Sequence, residues 1–311
     1  MDPQSWCLKI TRMVVHSQPE VFTELLDAIF NYLWLQGDFA SLKTCALVCQ
    51  FWLPIAQALI FHSVTFNQPT WAKFINATNS FLETVEQNPH LITYVRDFCF
   101  NWTLWSIHPL LDRVTFPSVK SFTLKRISMV DPNRVASTRP LLKLPSLTKI
   151  LLIEDNFRDL RQFSTFFDQE HSVNIITVQL HRVCILRHRN LTEIQRARIR
   201  LHNLAFPNFQ LSDEDTPPPS PSISSAPRIR PKLQTLEIVR GHASLLASWF
   251  IKPGSPFDLT ALKTLKYEED LENPDVTNLV NLLGTCAMSL ENLDIYSHSG
   301  AFISLSFVIR H

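Results

Sequence analysis

The run from Pro19 to Phe61, PEVFTELLDAIFNYLWLQGDFASLKTCALVCQFWLPIAQALIF, decides how the rest of the chain is read, because it carries three helix signals in close succession. Val21, Leu25, Leu26, Ile29, Phe30 and Leu33 recur at helical spacing and mark one apolar face. Gly37 suits a left-handed helix end, and Asp38 suits the N-cap of the helix that follows. In that second helix Leu42, Cys45, Ala46 and Cys49 share a stripe, while Leu47 and Val48 are apolar as well, so little polar surface is left to face water. The helix therefore needs cover on more than one side. Pro54 fits the first turn of a third helix through Ile55, Ala56 and Leu59, where a missing N–H is harmless. Three helices this short close no large core, and their surplus apolar surface points to a partner.

These residues resemble an F-box. Pro19-Glu20-Val21, the Leu25/Ile29/Leu33 spacing and above all Leu42-Lys43-Thr44-Cys45-Ala46-Leu47-Val48-Cys49-Gln50-Phe51-Trp52 are similar to the form found in large families of fungal F-box proteins. Where that family usually begins Leu-Pro, this chain has Gln18-Pro19. Leu59 to Phe66 is similar to the short strand by which such proteins leave the F-box. The resemblance implies docking onto the Skp-type adaptor of an SCF ubiquitin ligase and, through it, onto a cullin-RING assembly. Its adaptor-binding residues would be Pro19, Val21, Leu25, Ile29, Leu42, Cys45, Ala46, Val48 and Trp52.

The 311 residues suggest about two domains. With 45% hydrophobic and 18% charged residues, the composition is that of a globular protein with an ample core. Twenty-nine basic against 28 acidic residues leave a net charge of +1, so no global field gathers nucleic acid or an anionic membrane. Six irregularly spaced cysteines suit a reducing compartment. No apolar run is long enough to span a bilayer, and Met1-Asp2-Pro3-Gln4-Ser5 lacks the pattern of a signal peptide. Cytoplasm or nucleus is the expected compartment, with no membrane partner.

The helical F-box-like domain is placed at 17–66, after a first stretch without a clean period. Trp71, Phe74, Ile75, Thr78, Leu82 and Val85 predict a connecting helix within 67–90, broken at Asn88-Pro89. Over 91–311 a triplet, apolar-x-x-apolar-x-apolar, recurs as Val95/Phe98/Phe100, Val119/Phe122/Leu124, Leu147/Ile150/Leu152, Ile175/Val178/Leu180, Leu233/Leu236/Ile238, Leu262/Leu265/Tyr267 and Leu290/Leu293/Ile295. Its steps are 24, 28, 28, 58, 29 and 28 residues, in the range of leucine-rich repeats. Helix-like segments lie between them: Leu160/Phe163/Phe167, Leu245/Leu246/Trp249/Phe250, and Val276/Leu279/Val280/Leu283 after Asn273-Pro274. The expected architecture is α/β, a three-helix F-box followed by an irregular leucine-rich-repeat-like solenoid with a parallel sheet. One departure from that family is clear: the Asn or Cys expected eight residues into each repeat is Thr103, Ile127, Asp155, Val183, Gly241, Asp270 and His298.

The double-length step holds a segment, Leu191 to Leu204, readable as a helix or as a hidden strand. It also holds a Ser/Pro-rich, acidic stretch read as a disordered insertion at 212–230, in which Thr216-Pro217 and Ser220-Pro221 resemble proline-directed phosphorylation sites. Phe302, Leu305, Phe307 and Ile309 follow the last triplet too soon for a full repeat and read as a cap strand or a truncated chain.

Five scattered glycines form neither a phosphate-cradling loop nor a nucleophile elbow. His181, Cys184 and His188 have ligand-like spacing, but Arg182, Arg187 and Arg189 stand among them, and no metal or other cofactor is expected. The six arginines and three histidines from His181 to His202 lack interleaved aromatics and read as a solvated helix face, so nucleic acid is not an expected partner. The reading is a non-enzymatic substrate receptor of an SCF-type ligase, whose repeats hold an unknown protein target. Strand alternation puts Cys99, Thr123, Leu151, Gln179, Glu237, Lys266 and Asp294 in one column, with Gln179, Glu237, Lys266 and Asp294 the expected target contacts. The alternative is a stand-alone repeat scaffold whose N-terminal helices cap the solenoid.

Overall fold

Gly37 and Asp38 part the first two helices. In the computed structural model, which describes residues 19–68, 70–101, 113–127, 129, 132–167, 174–186, 230–269 and 276–297, helix α1 spans Pro19–Leu35 and α2 spans Phe39–Val48. Gly37 sits at φ +70°, a backbone state open to a residue without Cβ. The Asp38 side chain accepts a hydrogen bond from Ser41 N at 3.0 Å, capping α2. Helix α3, Trp52–Ile60, carries Pro54 in its first turn. The readings made for the first sixteen residues, for 191–204, for the insertion up to 229 and for 302–309 lie outside the described residues.

The chain forms two compact units, Met1–Ile127 with Pro140–Leu152 and Ser128–Arg139 with Ile153–His311. In the first, strand β1 (Ser63–Asn67) leaves the three helices, and α4 (Trp71–Gln87) and a 3₁₀ turn (Pro89–Tyr94) lead to β2 (Asp97–Asn101) and β3 (Ser121–Lys125). Helix α5 (Pro132–Leu142), which up to Arg139 belongs to the second unit, and β4 (Lys149–Ile153) follow. The boundary placed at residue 66 falls inside this unit, because β1 pairs in parallel with β2, Phe66 opposite Phe100. Helix α4 realises the connecting helix, burying Phe74, Thr78, Leu82 and Val85.

In the second unit β5 (Asn156–Phe157), α6 (Leu160–Phe166), β6 (Thr177–His181) and β7 (Cys184–Ile185) precede β8 (Thr235–Val239). Helix α7 (Ala243–Ile251), β9 (Thr264–Glu269), α8 (Val276–Cys286) and β10 (Asn292–Ser297) complete it. Asp159 caps α6 by accepting from Gln162 N at 2.8 Å, and Gln162 Oε1 returns the favour to Arg158 N at 2.7 Å.

The fold is thus mixed α/β, with eight strands of parallel sheet among the described residues, four in each unit. Their order is β1-β2-β3-β4 in the first and β6-β8-β9-β10 in the second. The seven triplets supply seven of these strands, and the pairing is in register: Phe98 opposite Phe122, Val178 opposite Leu236, Leu236 opposite Leu265, Leu265 opposite Leu293. All triplet members except half-buried Ile295 are buried. The cores are rich in aromatic pairs, Phe66, Phe81, Phe98, Phe100 and Phe116 in the first unit and Phe163, Phe167, Trp249 and Phe257 in the second.

Four strands end in a left-handed residue that is not glycine: Arg126, Glu154, Arg182 and Arg240, at φ 56–61°. Such a conformation costs about 1–3 kcal/mol. Hydrogen bonds to the next strand offset it, since Glu154 N, Arg182 N and Arg240 N each donate at 2.7 Å, to His181 O, Val239 O and Glu268 O. Ion pairs add to the ladder, Arg182–Glu154 at 2.8 Å and Arg240–Glu268 at 2.7 Å. Charged side chains therefore occupy the turn that an Asn ladder would serve in regular leucine-rich repeats. The ladder position itself holds buried Ile127, Asp155 and Val183, and Gly241, where a Cβ would run into the backbone of Val183.

Candidate docking surfaces

Helix α1 divides the apolar face read from its sequence into two stripes. Leu26 and Phe30 are 5% and 1% exposed and belong to a small core with Leu42 and Ala56, packed about by Leu33, Trp34, Cys45, Ala46, Trp52, Ile55, Leu59 and Ile60. Leu25, Ile29 and Tyr32, one residue back or two on along the same helix, face solvent. At the end of α2 Leu47 is 86% exposed and Val48 is exposed; Phe51 and Leu53 follow in the same state. Nine of the thirteen exposed large hydrophobic side chains among the described residues fall between Leu25 and Leu53. Patches of that kind mark interaction surfaces.

The expected adaptor contacts separate accordingly. Leu25, Ile29 and Val48 lie on the exposed surface, and Cys45 and Ala46 are half-buried. Trp52 is half-buried, its ring edge-on to Phe30 with centroids 5.8 Å apart. Leu42 is fully buried, so it supports the small core and has no surface to offer a partner. Pro19 and Val21 lie in α1, their side chains outside the described residues. Tyr32, Leu35, Phe39, Leu47, Phe51 and Leu53 are not among the expected adaptor contacts; for Phe39, Leu47, Phe51 and Leu53 the signal is the all-round apolarity of α2 and the turn after it. Near this surface Asp38 is held below the usual carboxylate range, first by the side chain of Ser41 and then by its N–H. Burial pushes the Cys45 thiol up.

The second surface is the open face of the sheet in the second unit. Residues alternate in and out along each strand, so Gln179, Glu237, Lys266 and Asp294 fall opposite one another on β6, β8, β9 and β10, as their column requires. Each is half-buried. His181 Nε2 lies 3.2 Å from Glu237 Oε2, and Lys266 Nζ sits 5.6 Å above the Tyr296 ring. The bond with His181 is the main cause holding the Glu237 carboxyl below its ordinary range; Gln179 and the Lys266 charge act in the same direction. His181 and Tyr296, absent from the expected contacts, therefore complete a polar network across four strands.

In the first unit Cys99 and Thr123 face each other in the same column, and Asn101 Nδ2 donates to Asn67 Oδ1 at 2.9 Å beside it. Burial raises the Cys99 thiol, and it raises Cys286 to about 11. Of the ligand-like trio, His181 is engaged with Glu237, Cys184 donates to Arg182 O, and His188 lies outside the described residues. Among the described residues no group of three His, Cys, Asp or Glu side chains is placed to hold a metal, and no helix is long and apolar enough to cross a membrane. The chain matches no family model, no curated protein and no solved structure.

Proposed function

We propose that this chain is a substrate-recognition subunit of an SCF-type E3 ubiquitin ligase, working in the cytoplasm or nucleus. The observation that carries the proposal is the concentration of exposed apolar side chains on α1, α2 and the turn into α3, the same residues that resemble an F-box. The Skp-type adaptor covers Leu25, Ile29, Val48 and the exposed edge of Trp52. The open face around Gln179, Glu237, Lys266 and Asp294, within a leucine-rich-repeat-like domain, holds the target protein. The chain supplies no catalytic group. It contributes proximity, making ubiquitin transfer from the cullin-RING machinery onto the held target effectively intramolecular. The test is co-expression with a Skp-type adaptor, followed by asking whether the two co-purify and whether a cullin joins them.

A scaffold whose helices cap the sheet is favoured by one observation, the pairing of β1 with β2, which joins the helices to a sheet edge. Against it, a terminal cap needs a polar outer face. Here the outer residues include Leu47 at 86% exposure and Leu35 at 72%.

A further inference from the structure

A cleft of about 610 Å³ opens in the second unit where the segment before β8 meets the loop between α7 and β9, lined by none of the open-face column residues. Its floor is apolar and set in the core: Phe250, Phe257 and Leu259 are 2–3% exposed. Its rim is basic, with Arg230, Lys232 and Lys252 all exposed. The size lies in the range of small-ligand and peptide side-chain pockets.

The rim is held in place by the backbone. Leu233 N donates to Asp258 O at 2.9 Å and Asp258 N to Pro231 O at 2.9 Å, an isolated parallel bridge that fixes the segment bearing Arg230 and Lys232. Lys252 caps the end of α7, its N–H bound to Trp249 O at 3.3 Å and its carbonyl accepting from Ser255 N at 3.0 Å. Among the described residues Asp258 is the single carboxylate lining the cleft; the Thr260 N–H first, and then the charges of Lys232 and Arg230, hold it below the usual carboxylate range. Its Oδ1 is already engaged by Thr260 N at 2.9 Å and Thr260 Oγ1 at 2.7 Å. Among the described residues none of the three cations is within 4.0 Å of a carboxylate oxygen. Asp258 offsets part of this charge, and three cations against one carboxylate leave the rim net positive, which favours an anion.

We propose that this cleft binds an acidic peptide segment, a carboxylate or phosphate side chain meeting Arg230, Lys232 and Lys252 while a neighbouring apolar side chain packs on Ile251 and Pro253 above the buried floor. The site lies outside the open-face column, and binding there requires no adaptor. The pairing of charge with an apolar anchor gives specificity that neither part gives alone.

The test uses the full chain and three labelled peptides of identical apolar residues, in which two adjacent positions are glutamate, phosphoserine or glutamine, with binding read by fluorescence anisotropy. The glutamate peptide, the phosphoserine peptide or both bind, with affinity falling as salt rises, and the glutamine peptide binds at least about tenfold more weakly. The two anionic peptides tell which source of negative charge fits better. Arg230→Gln with Lys232→Gln and Lys252→Gln lowers affinity about tenfold or more, and Thr285→Trp, which fills the cleft without altering charge, lowers it comparably. Circular dichroism of both variants stays native-like, since all four positions are exposed. Binding unaffected by Thr285→Trp places the peptide on loose surface charge and overturns the cleft. Equal binding of the glutamine peptide, or no binding by either anionic one, overturns the proposal as well.

Discussion

The three N-terminal helices are at least as apolar in sequence as the strands of the parallel sheet, yet the two use that apolarity differently. In the sheet the triplets go inside: Phe98, Phe122, Ile150, Val178, Leu236 and Leu265 are all at 0% exposure. In the helices only Leu26, Phe30, Leu42 and Ala56 are buried among the described side chains, and Leu25, Ile29, Tyr32, Leu47 and Val48 are left in solvent. A repeat stacks each strand between two like neighbours, so every inward side chain finds cover. Three short helices have too little volume to do so. The apolar side chains left in solvent on these helices are the surface that the proposed docking would cover.

The sharpest way to break this contrast is truncation. Phe122→Ala leaves a cavity in the sheet and lowers stability by about 3–5 kcal/mol, whereas Leu47→Ala, on the helices, changes it by no more than about 0.5 kcal/mol. Urea unfolding of both variants decides; equal losses would mean that Leu47 is covered within the chain. For docking, Leu25→Asp with Leu47→Asp keeps a native-like circular dichroism spectrum and lowers adaptor affinity about a hundredfold, equivalent to about 3 kcal/mol, because docking would bury unpaired charge. A folded double variant that still co-purifies with the adaptor displaces the interface from these helices.

The sheet side of the comparison is sharpened at its turns. Gly241, at φ +73° and against the backbone of Val183, cannot take a Cβ without local movement, so Gly241→Ala lowers stability by about 2 kcal/mol, measured by chemical denaturation. The effect at Gly37 is smaller, since nothing lies within 4 Å of a Cβ there and only the backbone strain is felt. The smallest effect belongs to the open face. Glu237 is held below its ordinary value of 4.5, so its contribution is complete above that pH and is lost as pH falls through the lowered value. Glu237→Gln therefore lowers the melting point slightly at neutral pH, by about 0.5 kcal/mol in stability, and the gap from wild type closes below pH 4.5. A gap that widens on acidification would assign the shift to a cause other than the His181 bond.

The seven triplets, the connecting helix and the Asp38 cap were legible because each rests on local spacing or on a residue's own backbone preference. The column Gln179, Glu237, Lys266 and Asp294 followed from strand alternation once the strands were in register. What local pattern could not supply was the rotation of α1: periodicity marks a face but not its midline, and whether Leu25 or Leu26 turns inward depends on where α2 and α3 pack. The same holds for β1, read from sequence as the end of the helical domain and found in the structure beside β2, and for the bond of His181 to Glu237 across a gap of 56 residues.

The sequence by itself determined that parallel strands recur at a near-constant step and that the N-terminal helices carry more apolar surface than they can bury, since both are matters of spacing and amount. Only the tertiary structure decided which residues form that surplus surface, and why Arg126, Glu154, Arg182 and Arg240 adopt a left-handed turn without glycine. For three of those turns, hydrogen bonds donated to the adjacent strand outweigh the preference of the residue itself, and a neighbour brought close by folding has no trace in local sequence.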